Sequence, residues 1–205
     1  MNMKKILTMA LALVLVAGLS VGGTLAYLQA QTEAVVNTFT YGNVDVELKE
    51  NRVDSATGKF VEGSNLDATT NTYSSLVPGR ALQKNPTVIL GNESETSYVF
   101  VEFKNNTNYL ECAMDTNWTV IDSDRGVYAY NEKVEKGGKA NILKQDYAGE
   151  GYAVKVKEEL TKENVEAMGE DKSEQLTFVA YAVQAEGFDT AKAAWNATFG
   201  AKIIA

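Results

Sequence analysis

Phe39-Thr40-Tyr41-Gly42-Asn43-Val44-Asp45-Val46-Glu47-Leu48-Lys49 alternates apolar and polar side chains in the period-2 manner of a β-strand. Phe39, Tyr41, Val44, Val46 and Leu48 supply its apolar side. A strand of this kind stays stable only when that side is covered, so the chain is expected to build a sheet protein around it. Its position near the amino end raises a second expectation, that it can pair with a neighbouring molecule as a donor strand.

Upstream, Lys4 and Lys5 precede the apolar stretch Ile6 to Val16, and Gly18, Ser20, Gly22 and Gly23 loosen the chain after it. Thr24-Leu25-Ala26 offers the small residues that a signal peptidase reads. The expected cut is therefore between Ala26 and Tyr27, with Ala30 as second choice. Residues 1–26 read as a signal helix and 27–205 as one mature domain, whose 179 residues suffice for a substantial core.

Downstream, punctuation by turns recurs about every ten residues. Residues 50–75, rich in Asn, Ser, Thr and Gly, read as a long surface loop with a weak hairpin at Lys59-Phe60-Val61. Leu76-Val77-Pro78-Gly79-Arg80 is a turn signal, and Asn85-Pro86 opens a strand at Thr87-Val88-Ile89-Leu90. Tyr98 to Phe103 is apolar on both faces over most of its length, which predicts a central strand covered on both sides. Trp118 to Ile121 and Val127 to Tyr130 flank a Gly-containing turn and predict a hairpin. Tyr152 to Lys157 and Gln175 to Gln184 are further alternating strands. Two short helices are expected, Thr161 to Met168 capped by Thr161, and Thr190 to Thr198 capped by Asp189. The pattern describes an all-β protein, a jelly-roll-like antiparallel β-sandwich with one or two short helices.

Formal charge is −8 over the whole chain and −10 once the two-lysine signal is removed. Such acidity argues against nucleic acid and against anionic lipid as direct partners. The signal, while uncleaved, is the only expected tie to a membrane. Cys112 is the only cysteine, so no internal disulfide forms, and Leu110, Ala113 and Met114 around it predict a buried, inert thiol. No twin arginine, lipid-acceptor cysteine or Leu-Pro-x-Thr-Gly sorting sequence is present. The mature protein is expected outside the cell.

Chemistry is sparse. The chain has no histidine, which removes His-x-x-x-His zinc sites, Ser-His-Asp and Cys-His nucleophile systems, and the usual neutral-pH proton shuttle. No Gly-rich phosphate loop or dinucleotide fingerprint occurs. Asp122-Ser123-Asp124-Arg125-Gly126 resembles the opening of a calcium loop, but Arg125 sits inside it and Lys133 falls at the closing position, so a solvated hairpin turn is the simpler reading. The carboxylates Glu158, Glu159, Glu163, Glu166, Glu170 and Asp171 are interleaved with lysines and read as a wet surface, not as a glycosidase pair. Asn92, Asn105, Asn117 and Asn196 open Asn-x-Ser/Thr sequences that carry little meaning in a bacterial export context. Tyr98, Tyr128 and Tyr181 could line a sugar-binding face, but half-buried sheet positions explain them more simply. No catalytic residue, metal ligand or cofactor is expected.

Gly22-Gly23-Thr24-Leu25-Ala26-Tyr27-Leu28, Thr32-Glu33-Ala34 and Asn37-Thr38-Phe39-Thr40 resemble the start of exported Gram-positive proteins handled by the signal peptidase SipW, the group that includes TasA and camelysin. Pro78-Gly79, Lys84 to Val88, Asn92-x-Ser94 with Tyr98 to Val101, Ala180 to Phe188 and Ala194-Trp195 are similar to further members of that group. The resemblance implies a secreted jelly-roll protein of the cell surface or biofilm matrix. It implies fibre assembly by donation of an N-terminal strand, here Thr38 to Leu48, into the next copy or a related matrix subunit. The metalloprotease label of camelysin does not carry over, because the residues a zinc protease needs are missing. The expected function is thus a non-enzymatic extracellular structural protein, with a secreted wall- or glycan-binding β-sandwich module as the alternative.

Overall fold

Strand β8 (Ser97–Asn106) and strand β14 (Gln175–Gln184) form the spine of the molecule, paired antiparallel over ten residues from Gln175↔Asn106 to Gln184↔Ser97. The computed structural model describes residues 29–32, 38–40, 44–74, 76–168 and 174–200. The expected signal helix, the Ala26–Tyr27 cut and Tyr41 lie outside them.

Both faces of the spine are largely apolar, as the pattern of Tyr98 to Phe103, broken only by Glu102, requires. Val99, Val101, Phe178, Ala180 and Ala182 point inward, while Tyr98, Phe100, Tyr181 and Val183 point outward. β11 (Val127–Tyr130) and β10 (Trp118–Asp122) extend the sheet beyond β8. β1 (Gln29–Thr32) and β2 (Thr38–Thr40) extend it beyond β14, giving the order β10-β11-β8-β14-β1-β2. The β10–β11 hairpin turns at Gly126, whose φ of 68° suits glycine; a Cβ there would lie 2.6 Å from the Phe103 carbonyl oxygen.

Two three-stranded sheets cover the inner face. One is β12 (Lys139–Asn141), β7 (Thr87–Leu90) and β3 (Val46–Lys49); the other is β6 (Ala81–Leu82), β13 (Val154–Val156) and β9 (Leu110–Cys112). Val46, Val88, Leu90, Leu82, Val154 and Val156 from these sheets meet the inward residues of the spine in one core. The all-β sandwich expected from the sequence is the fold observed. Inside the long 50–75 loop a small hairpin pairs β4 (Val53–Asp54) with β5 (Lys59–Phe60).

Helix α1 (Lys162–Ala167) begins with a reciprocal cap: the Thr161 hydroxyl accepts from Asn164 N, and the Asn164 side chain accepts from Thr161 N. Helix α2 (Ala191–Thr198) is capped by Thr190, which accepts from Ala193 N at 3.1 Å, and not by Asp189 as the sequence suggested. Thr190 has the extended backbone that a capping residue needs, φ −141° and ψ 153°. α2 lays Ala194 and Trp195 over Phe100, Tyr181 and Val183 and so forms a second, outer core.

One expectation is corrected. The Phe39–Lys49 stretch is not a single strand: Phe39 belongs to β2 in the six-stranded sheet, whereas Val46 and Leu48 belong to β3 in the opposite layer. The physical reason is in the spacing. Phe39 and Tyr41 are odd-numbered and Val44, Val46 and Leu48 even-numbered, so no unbroken strand could turn all five to one side.

Candidate functional site: an open strand edge above an apolar cleft

Every residue of β14 has β8 on one side, but its other side is unequally used. Among the described residues β1 pairs with Tyr181–Val183, in the register Gln29↔Val183, Ala30↔Ala182 and Gln31↔Tyr181. Among the described residues, no strand runs beside Gln175–Val179 on that edge. Which backbone groups face it follows from one hydrogen bond. Ala185 N donates to Thr96 O at 2.9 Å, in line with the β8–β14 register, so odd-numbered β14 residues bond to β8. Leu176 and Phe178 therefore aim their N–H and C=O groups at the open edge, where no described residue meets them. A strand edge in this state invites another strand.

Below that edge lies a cleft of about 800 Å³ between the two layers of the sandwich. Its walls are Leu176 and Phe178 from β14, Leu48 from β3, Leu82, Val154 and Val156 from the second small sheet, and Leu160, Val165 and Met168 around α1. Tyr73, Leu76 and Tyr109 complete it from the loops. The lining is mostly apolar because these alternating positions would face a closed core if the edge were occupied.

One ion pair sits in this apolar wall. Lys84 Nζ lies 2.8 Å from Glu50 Oε2, with side chains 11 % and 7 % exposed. The ammonium stands 5.8 Å over the Tyr73 ring and 5.9 Å over the Phe178 ring, both favourable for a cation. Burial and the nearby Glu50 charge push the Tyr73 phenol well above its ordinary value, so it remains a donor, to Gln83 O at 2.7 Å. Burial likewise pushes the Cys112 thiol up to about 11, against a smaller downward pull from Lys84. At neutral pH it is a thiol, as the inert reading requires, although it is half-buried and not fully enclosed.

The expected donor residues divide between two environments. Val44 and Val46 are fully buried in the molecule's own core, and Leu48 packs partly buried beside them. Asp45 is anchored as well: its N–H donates to Ser94 Oγ at 2.8 Å. Phe39 lies upstream in β2, which pairs with β1 and forms the far edge of the large sheet. Thus β3 is built into this chain, and β1 and β2 are edge additions.

Other sequence candidates resolve simply. Asp122 Oδ1 accepts from Arg125 N at 3.1 Å within its own hairpin turn, and Arg125 reaches Glu102 at 3.2 Å. Tyr98 and Tyr181 are buried and Tyr128 half-buried, as the sheet-residue reading expects. Among the described residues no group of three or more His, Cys, Asp or Glu is placed to hold a metal, and no helix is long and apolar enough to cross a membrane. The sequence reading does not single out Glu50 and Lys84. The ion pair joins residues 34 positions apart, beyond any local pattern.

Comparison with protein-family models, with curated proteins and with solved structures finds no match.

Proposed function

We propose that the chain is an exported, non-enzymatic structural protein of the cell surface or extracellular matrix, which associates with copies of itself through strand addition at its N-terminal region. The observation that carries this reading is the half-covered edge of β14, where Leu176 and Phe178 offer backbone hydrogen bonds above an apolar cleft. Such an edge suits a polypeptide strand, which alone supplies matching N–H and C=O groups together with apolar side chains. The export reading rests on Lys4, Lys5, the Ile6–Val16 run and Thr24-Leu25-Ala26. The non-enzymatic reading rests on a sequence without histidine and with a single, weakly acidic thiol.

The test compares mature protein beginning at Tyr27 with protein beginning at Val44, by light scattering after size exclusion and by negative-stain microscopy. The shorter form keeps β3 and its core residues, so it should fold. Concentration-dependent oligomers from the longer form alone are expected. Monomers from both forms at every concentration would overturn the proposal.

A further inference from the structure

We infer that the cleft between the two layers is a binding site for a neutral amphiphile, an alkyl chain ending in a hydroxyl, whose chain lies along the apolar walls and whose head meets the Lys84–Glu50 pair. The inference does not rest on the self-association reading. The ligand uses side-chain walls between the layers, whereas an added strand uses backbone groups at the edge.

Size and lining give the chain of the ligand. The cleft measures about 800 Å³, inside the range of small-molecule sites and far larger than the gaps of a packed core. Its walls run from Leu48 of β3 to Phe178 of β14. Leu48, Leu76, Val165, Met168 and Leu176 line it and stay only partly buried, although each packs on the core. Apolar surface gathered in one concavity is what an alkyl chain covers with the greatest gain.

Charge gives the head. The charged residues of the lining are Lys49, Glu50, Lys84 and Glu174. Lys49 Nζ is held by Glu47 at 2.6 Å, and Glu174 accepts from the backbone N–H groups of Asn108 at 2.6 Å and Tyr109 at 3.1 Å. Lys84 and Glu50 neutralise each other at 2.8 Å. Lys84 Nζ faces the Tyr73 and Phe178 rings, which themselves line the cleft, so the pair borders the volume the ligand takes. Among the described residues, Lys84 Nζ bonds to Glu50 Oε2 alone, and Glu50 Oε1 has no hydrogen-bond partner. The pair thus offers ammonium protons and a carboxylate oxygen side by side. A hydroxyl both accepts from the one and donates to the other. A carboxylate head can only accept and would sit beside the Glu50 charge, and an ammonium head can only donate and would sit beside Lys84. The chain's net charge of −8 adds a further repulsion against anionic amphiphiles. The same chemistry explains why an ion pair stands in an apolar wall, where desolvation makes it a poor source of stability.

The test titrates mature protein from Tyr27 with dodecanol, dodecanoate and dodecylammonium by isothermal calorimetry, at a concentration where light scattering gives monomer. One dodecanol per chain is expected, bound about tenfold more tightly than either charged analogue, because a third charge in the cleft is desolvated without a partner. Val165→Trp, which fills the cleft from α1, should remove most of the dodecanol binding while circular dichroism stays unchanged. The double variant Lys84→Met with Glu50→Leu should keep the apolar walls but weaken dodecanol about tenfold, through the lost hydrogen bonds to charged groups. No binding of dodecanol, or binding that a folded Val165→Trp leaves intact, would overturn the site. Dodecanoate held as tightly as dodecanol, or dodecanol affinity unchanged in the double variant, would overturn the placement of the head. Dodecanol bound as expected by a chain that stays monomeric at every concentration would sink the self-association reading and leave this one standing.

Discussion

The two ends of β14 are one strand in two settings. At Ala182 and Val183 the strand has β8 and β1 on its sides, Val44 and Val46 in the core below and helix α2 above. At Leu176 and Phe178 it has β8 on one side and a cleft on the other. The alternation of apolar residues runs through both halves without a break. The difference shows that a pattern of faces says what is buried above and below a strand, but not what lies beside it.

The closed end should be the stiff one, and truncating its main outer anchor gives the largest expected loss. Trp195 is 2 % exposed and contacts the rings of Phe100, Tyr181 and Phe199 at centroid distances of 5.1, 5.2 and 4.7 Å. Trp195→Ala should lower unfolding free energy by about 3–5 kcal/mol in urea titrations. A loss below about 1 kcal/mol would mean that α2 is not part of the folded unit.

The open end is predicted to depend on its ion pair. Lys84→Met alone strands the Glu50 carboxylate in an apolar wall and should cost about 3 kcal/mol. The double variant Lys84→Met with Glu50→Leu should regain most of that loss, because two desolvated charges give way to apolar contact. Equal losses from the single and double variants would show that the pair contributes a specific geometry beyond charge balance.

A matched pair of leucine truncations sharpens the contrast directly. Leu90 is fully enclosed, so Leu90→Ala should cost about 2–5 kcal/mol. Leu176 borders the cleft and is only partly buried, so Leu176→Ala should cost about 1 kcal/mol in the monomer. Equal losses at the two sites would show that the cleft is closed in solution.

The smallest effect concerns pH. Glu102 sits on the outer face, 2.9 Å from Lys104, 3.2 Å from Arg125 and 3.1 Å from the Tyr181 hydroxyl. Burial pushes its carboxyl upward, but these partners outweigh burial and hold it below its ordinary 4.5. Its contribution is therefore present above that ordinary value and is lost as pH falls through the lower folded value. Glu102→Gln should flatten the acid limb of the stability curve by less than about 1 kcal/mol, because Lys104 is 58 % exposed. An unchanged acid limb would remove Glu102 from the account of acid sensitivity.

Much of the architecture is legible in the sequence. The doubly apolar Tyr98–Phe103 run is the central strand, the faces of Gln175–Gln184 are as alternation assigns them, and Gly126 turns the hairpin it was expected to turn. The N-terminal stretch reads as continuous because each half alternates by itself, and the change of parity across Gly42-Asn43 is what marks the break in the sequence. Thr190 took the cap from Asp189 because both residue types can serve, and the choice falls to whichever backbone is extended at the helix start.

Local chemistry in the chain determines which residues form strands, where turns fall, that no histidine-based reaction is possible, and that no disulfide closes a loop inside one molecule. Those follow from side-chain shape, backbone freedom and residue type, all properties of neighbours in sequence. Only the tertiary structure decides that β3 serves its own core while β1 covers part of β14, that Glu50 meets Lys84, and that a cleft lies under an edge that no described strand occupies. These depend on segments tens to more than a hundred residues apart arriving at one place, and the energy of such meetings belongs to the packed whole, not to any window of the chain.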